Sequence, residues 1–228
     1  MVAWEALMIE ENSLAILFKD MGPKRYPKGQ ILIYEGDPPE NIYYLSQGYV
    51  KVYHILDSGA ERVIFIYGHG DVFPLTSYLS QAGVVRYFYE CMTDVEVNVL
   101  PSGRLEKKIK DDMTLGESLI RYTYDLNQQF FQRIDVLSVN DARSKIISLL
   151  FFLVNKVGTS AEKSELCVPL TSQTIANMCG LTRETTSAQL QHLREQGIVS
   201  GYKTIIVDVP KLEKLSTKLG IRHFNPKS

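Results

Sequence analysis

The 228-residue chain is poor in cysteine. It has three, Cys91, Cys167 and Cys179, an odd number with no C-x-x-C pair. That spacing excludes a disulfide framework and is expected of reduced thiols in a cytoplasmic protein. Long apolar runs are also missing: the longest, Ile146 to Val154, is far too short to span a bilayer, so no membrane association is expected. No basic leader followed by an apolar run stands at the N-terminus, so a signal peptide is not expected. Histidines number four, and His54 and His69 have neither an H-x-H partner nor an acidic neighbour at ligand spacing. Neither a haem nor a metal site is expected from them. A Ser-His-Asp arrangement, a P-loop and a G-x-G-x-x-G are absent too. No cofactor is expected, and the common catalytic devices find no support.

The net charge of −1 carries no message, but its distribution does. From Asp141 onward there are 12 Lys+Arg against 7 Asp+Glu, leaving 13 and 19 of the totals of 25 and 26 for residues 1–140. A basic C-terminal part beside an acidic N-terminal part is the asymmetry expected when only one part meets phosphates.

Residues 171–197 have the spacing of a helix-turn-helix. Thr171 can cap a short first helix that carries Ile175 and Met178 inward, and Ala176 is small where two helices cross. Gly180 suits the positive φ of a tight turn. Thr182 can cap a second helix with Leu190 and Leu193 as its apolar seam, and Gly197 closes that helix. The first turn of the second helix offers Arg183 and Glu184, where recognition helices present base-reading side chains. Residues 198–208 read as two short strands around a Ser-Gly turn, which is a wing. A compact helical pair that meets only proteins would need the same small residues, but the wing favours double-stranded DNA. Thr171, Ser172, Thr182, Arg183, Glu184, Thr185, Ser187, Gln191 and Lys203 are the candidate DNA-binding residues.

The rest of the chain divides around this module. A short amphipathic helix is expected over Glu10–Met21. Strands come next over Gln30–Tyr34, Ile42–Leu45, Tyr49–Ile55, Arg62–Tyr67 and Asp94–Leu100, with Gly36-Asp37 and Gly70-Asp71 turns, as in a small jelly-roll barrel. A helical region runs from Ser102 to about Val157. Within it, residues 114–140 form one long helix with two apolar stripes. Ile120, Tyr124, Phe131, Ile134 and Leu137 follow a three-four alternation interrupted by Asn127, and Leu119, Tyr122 and Leu126 make the second stripe. A helix apolar on two faces needs two partners. One is its own barrel, and the other is either a second domain or the same helix of a second subunit. A helix-turn-helix reader usually needs two half-sites, so a homodimer is expected. The fold class is α+β: a barrel with flanking helices over residues 1–113, a dimerisation helix over 114–140, and a winged helix-turn-helix over 141–228.

This organisation resembles the Crp/Fnr family of transcription regulators over about residues 20–215. The most specific match is Leu181-Thr182-Arg183-Glu184-Thr185. Supporting pieces are Lys28-Gly29, Glu35-Gly36-Asp37, Gly48-x-Val50-Lys51-Val52, Gly70-Asp71-Val72-Phe73, Thr93–Val97 and Asp141–Ile146. The resemblance implies a homodimer that binds a palindromic operator and contacts RNA polymerase, with an unknown small-molecule effector as a further candidate partner. The effector pocket would involve Phe73, Leu75, Arg86, Tyr87 and Tyr122. In cyclic-nucleotide members a Gly-Glu follows the Gly-Asp-x-Phe turn to hold the ribose, and an Arg-Ser/Thr-Ala binds the phosphate. Here Pro74-Leu75 and Arg86-Tyr87-Phe88 stand in those places, so an effector other than cyclic AMP, or none, is expected. The clustered cysteines of the iron–sulfur branch are missing before Cys91. Many tyrosines, including Tyr43, Tyr44, Tyr67, Tyr78, Tyr87 and Tyr89, either line an aromatic pocket or pack the barrel. In the recognition helix the family's second arginine, five residues after the first, is replaced by Ala188, which leaves Gln189, Gln191 and His192 as further polar candidates. Two other classes fit a jelly roll. A cupin-like enzyme would need a cluster of inward His and carboxylate ligands that four histidines, with His192 and His223 outside the barrel, do not supply. A ligand-binding barrel acting only through protein partners would not bind promoter DNA.

Overall fold

The computed structural model describes residues 14–80, 83–201 and 203–221. The α+β class is as the sequence indicates. The described residues form two compact units, one of residues 14–52 and 66–128, the other of residues 53–65 and 129–221.

The first unit is built on antiparallel strands: β1 (Pro23–Tyr26), β2 (Ile31–Ile33), β3 (Asn41–Gln47), β4 (Val50–Ile55), β5 (Glu61–Tyr67), β6 (Val72–Phe73), β7 (Phe88–Cys91) and β8 (Val95–Pro101). They form two four-stranded sheets in the orders β1-β8-β3-β6 and β2-β7-β4-β5. Strands β4 and β5 belong to both units, because residues 53–65 group with the second. The β3–β8 register sets Ile42 against Leu100 and Leu45 against Val97, and all four side chains are buried. Gly48 turns β3 into β4 at φ +90°, where a β-carbon would run into the Asp94 carbonyl oxygen. Helix α1 (Leu75–Leu79) follows β6, and α2 (Ser102–Asp111) follows β8. A core of Leu14, Leu17, Phe18, Ile42, Val72, Leu75, Leu100, Leu105, Leu115 and Leu119 fills the space beneath them.

Two sequence expectations need correction. Residues 10–13 of the N-terminal helix lie outside the described residues, and from Leu14 the chain makes a single 3-10 turn, Ala15–Phe18, rather than a helix to Met21. Gly22-Pro23 ends it, since the step before a proline disfavours helical backbone. Strands β1, β6 and β7 are not among the expected ones. Among the described residues strand β1 pairs only with β8, and it carries exposed Pro23, Lys24 and Arg25, so it shows no apolar alternation to read.

Helix α3 (Met113–Ser138) is continuous for 26 residues. Its inner positions Leu115, Leu119, Leu126 and Val136 are buried, and so is Arg133. Its other stripe is open: Ile120 is 72% exposed, Tyr124 62%, Phe131 58%, Ile134 55% and Leu137 43%. The second unit continues with α4 (Ala142–Val157), whose Asp141 cap accepts from the Ser144 amide at 2.9 Å. Almost every α4 residue from Ser144 to Val154 is buried, so this helix is the centre of the second core. Around it stand β9 (Lys163–Glu165), α5 (Ser172–Cys179), α6 (Arg183–Glu195), β10 (Val199–Ser200), β11 (Ile206–Asp208) and α7 (Val209–Leu219). The wing has three strands in the order β10-β11-β9, one more than the sequence suggests, because β9 comes before the helices and is only three residues long.

Candidate nucleic-acid interface

The helix-turn-helix is built by its caps. The Thr171 hydroxyl accepts from the Thr174 amide at 3.0 Å and opens α5; the Thr182 hydroxyl accepts from the Thr185 amide at 3.2 Å and opens α6. Each bond satisfies an amide that the first turn of a helix leaves without a partner. Gly180 sits between them at φ +68°, its amide bonded to Ala176 O. Ile175, Ala176, Met178 and Cys179 of α5 are fully buried, as are Leu190 and Leu193 of α6, so the two helices are locked by apolar contact. Gln196 ends α6 and Gly197 follows at φ +65°.

With those faces buried, the outward face of α6 is fixed. Arg183 and Glu184 are exposed in its first turn. Residues four apart on a helix stand one above another, so Arg183, Ser187 and Gln191 form one row and Glu184, Ala188 and His192 the next. An open groove of about 630 Å³ runs between α6, the start of α5 and the wing, lined by Thr171, Ser172, Ser187, Gln191, Arg194 and Lys203 with apolar Pro169, Leu170, Leu190 and Ile205. Five of the residues singled out from sequence, Thr171, Ser172, Ser187, Gln191 and Lys203, therefore share one concavity. Thr182, Arg183, Glu184 and Thr185 are not in its lining and sit at the free end of α6.

The sequence reading missed Arg194. Its Nη2 donates to Gly201 O at 3.4 Å, tying α6 to the wing turn, and its side chain lines the groove. The signal was present: Arg194 lies three residues after Gln191, on the face already identified. Lys211 was missed as well. Its Nζ donates to Gly197 O at 3.1 Å and lies 3.3 Å from Asp208 Oδ2.

The proposed effector residues divide. Phe73 is buried at the centre of a ring stack, 5.4 Å from Tyr43, 5.2 Å from Tyr67 and 5.3 Å from Tyr89, with interplanar angles of 8°, 26° and 15°. Leu75 is 1% exposed in the core that Tyr122 also packs against. The Tyr122 hydroxyl accepts from the Val72 amide at 2.8 Å and donates to Val72 O at 3.1 Å. Burial holds the phenols of Tyr67, Tyr89 and Tyr122 well above their ordinary range, so they stay neutral donors. Arg86 is exposed and Tyr87 half-buried on the segment before β7. Among the described residues no group of three His, Cys, Asp or Glu is placed to hold a metal ion, and no helix is long and apolar enough to cross a membrane.

Comparison with known proteins matches residues 23–112 to the cyclic nucleotide-binding domain and residues 144–215 to the Crp-like helix-turn-helix domain. The chain is 26% identical over 206 residues to the global nitrogen regulator of Nostoc sp., covering 86% of this chain and 92% of that one. It is 25% identical over 210 residues to the CRP-like cAMP-activated global transcriptional regulator of Mycobacterium tuberculosis, covering 90% and 93%. Among solved structures, FixK2 from Bradyrhizobium japonicum shares the fold with a TM-score of 0.74 at 24% identity, over 86% of this chain and 96% of that one.

Proposed function

Because the chain belongs to the Crp/Fnr family of transcription regulators, we propose that it works as a homodimer reading a palindromic operator in double-stranded DNA. The observation that carries this reading is the capped, outward-facing first turn of α6, with Arg183 and Glu184 exposed beside a groove that opens to the wing. Arg183 pairs bidentately with a guanine O6/N7 and Glu184 accepts from a cytosine N4. Thr171, Ser172, Ser187, Gln191 and Lys203 line the path of the backbone and offer hydroxyl, amide and ammonium donors to phosphate oxygens. Thr182 and Thr185 fix the helix start.

The open stripe of α3 supports the dimer. A row of exposed Ile, Tyr, Phe, Ile and Leu on one helix face is costly in water, and a second copy of the same helix covers it with a matching row. Two linked readers then meet two half-sites, which requires operator symmetry. The protein acts in the cytoplasm, has no catalytic role, and influences transcription through contact with RNA polymerase.

The effector is not cyclic AMP. Leu75 is apolar and buried where a ribose carboxylate would be needed, and a ribose hydroxyl against it would lose its hydrogen bonds at about 1–3 kcal/mol each. Solvent-exposed Arg86 is followed by Tyr87, not by the small residues of a phosphate cradle. An apolar or aromatic effector, or control by protein level alone, suits the barrel better.

A mobility-shift assay on duplexes selected by the protein from a random-sequence pool tests the function. A palindromic consensus, bound at two protomers per duplex, is the expected result; selection of no sequence would overturn the reading. Calorimetry with cyclic AMP and cyclic GMP tests the effector: micromolar binding that also tightens operator affinity would refute that part.

A further inference from the structure

We propose, resting on the DNA-binding reading above, that Arg133 is the positioning residue of the reader: its guanidinium fixes where the end of α5 sits against α3 and β5. Residue type and place are mismatched there. Arg133 occupies an inner position of α3, three residues before buried Val136 and seven after buried Leu126, and is itself only 4% exposed. An apolar side chain would be ordinary at such a position.

What it touches is specific. Nε donates to Ile64 O at 3.0 Å, and Nη2 donates to Val63 O at 3.3 Å and to Met178 O at 2.9 Å. The guanidinium lies over the Phe152 ring, 5.2 Å from its centroid. One planar group thus joins β5, α4 and the last turn of α5. Met178 O is among the final carbonyls of α5, which have no partner within the helix and form the negative end of its dipole. A cation there replaces both the missing donor and the missing charge.

Stability alone does not account for it. Among the described residues the titratable groups acting on Arg133 are the Cys179 thiol and the like-charged Arg62, and no carboxylate is among them. Burial pushes its pKa down to about 10, which still leaves a cation at neutral pH. Its Nη1 is buried with no hydrogen-bond partner among the described residues. A buried cation with one idle nitrogen is a poor substitute for a methionine of similar volume if filling space were its role. What a guanidinium does and a thioether cannot is fix direction, because carbonyls from two elements are satisfied in one plane only.

That direction reaches the DNA-reading end within a few residues. Met178 is followed by Cys179, Gly180 and Leu181, and then by the Thr182 cap that starts α6. A second arginine closes the other side of this turn: a β-carbon at Gly180 would run into Arg62 Nη1. Arg133 from α3 and Arg62 at β5 therefore bracket the turn that aims Arg183 and Glu184.

The test uses the full chain with Arg133→Met, Arg133→Lys and Phe152→Leu. Affinity is measured for a duplex selected by the wild type and for an unrelated duplex of equal length, at a temperature where circular dichroism shows the variant folded. Amide hydrogen exchange is followed at the α5–α6 turn. A merely structural role lowers the melting temperature and leaves the ratio of the two affinities alone. A positioning role changes the ratio: Arg133→Met weakens the selected duplex roughly tenfold or more, within the usual span of coupling between sites, and leaves the unrelated duplex nearly unchanged. Exchange at the turn accelerates, Arg133→Lys restores part of both, and Phe152→Leu gives a smaller effect in the same direction. A folded Arg133→Met with the wild-type ratio and wild-type exchange overturns the proposal. If Arg133→Met does not fold, the same ratio in Arg133→Lys and Phe152→Leu decides. A wild type that prefers no duplex would sink the parent reading instead, and the exchange measurement would still judge the hold of Arg133 on α5.

Discussion

Replacing Ile134 by Ala should weaken subunit association far more than it weakens the fold. Ile134 is 55% exposed in one subunit, so about half of its side chain is still to be buried. Fully burying an Ile stabilises by about 1.5–3 kcal/mol, which leaves about 1–1.5 kcal/mol for the seam. Two-fold symmetry repeats the change, so the dimer loses about 2–3 kcal/mol and its Kd rises roughly 30- to 140-fold. The helix itself is not harmed, because Ala has the higher helix propensity. The half already buried in its own subunit costs the monomer about 1 kcal/mol on truncation, so the monomer should melt only a few degrees below the wild type. Sedimentation across a concentration series reads the Kd, and thermal melts at concentrations where both proteins are monomeric read the fold. Ile134→Asp with Leu137→Asp is the extreme case: carboxylates facing each other across the seam should leave only monomer, and operator affinity should collapse because two linked half-sites become one. An Ile134→Ala dimer as tight as the wild type would place the subunit contact elsewhere. A monomer that loses several kcal/mol would mean that the residue is buried in its own subunit.

The second unit gives three further expected outcomes. Arg183→Ala should cost roughly 1–3 kcal/mol on the selected operator and relax preference at one base pair; uniform loss over all sequences would make Arg183 a phosphate contact. Gly180→Ala puts a β-carbon at φ +68° and against Arg62, and should destabilise by at least about 1–2 kcal/mol in urea unfolding, with Gly180→Asn losing less because Asn tolerates that backbone. The bonds from Ser144 hold the Asp141 carboxyl below the usual carboxylate range. A depressed folded value means that its contribution is present above the unfolded value of about 3.9 and is lost as pH falls through the folded one. The urea midpoint should therefore drop below about pH 4, and less steeply in Asp141→Asn; equal slopes would remove Asp141 from the acid response.

The recognition unit was legible because its signals are local. Thr171, Gly180, Thr182 and Gly197 are each required by the backbone within four residues of themselves, and each is where the caps and positive φ values stand. The exposed stripe of α3 was legible for the same reason, since helical period alone places Ile120, Tyr124, Phe131, Ile134 and Leu137 on one side. What was missed depends on partners distant in sequence. Strand β1 exists because Pro23–Tyr26 pairs with Val95–Asn98, and nothing in its own charged residues announces a strand. Strand β9 is three residues that matter only as the outer partner of β11. Arg133 reads as an ordinary exposed charge until the inner stripe of α3 is followed to its end, where its side chain meets carbonyls 69, 70 and 45 residues away.

The proposed effector, one other than a sugar phosphate, also fits the barrel interior. Tyr43, Phe73, Tyr67 and Tyr89 occupy it as stacked rings, and the largest fully buried side chains of this unit include Phe73 and Leu75. The edge of β6 is already satisfied, because the Tyr122 hydroxyl both accepts from and donates to Val72. Any ligand seated between β6 and α3 has to replace those two hydrogen bonds and part a ring stack whose contacts each contribute about 0.5–1.5 kcal/mol beyond their buried area. A ribose phosphate brings charge and hydroxyls to a place that offers apolar rings and neutral phenols, so desolvation opposes it at every step. A planar aromatic molecule with one hydroxyl can take over the stacking and, like Tyr122, both accept from the Val72 amide and donate to Val72 O. An unliganded barrel keeps them as they are. An aromatic effector or none is therefore the proposal this interior supports, and without a ligand the Tyr122 hydroxyl bonds the long helix to β6.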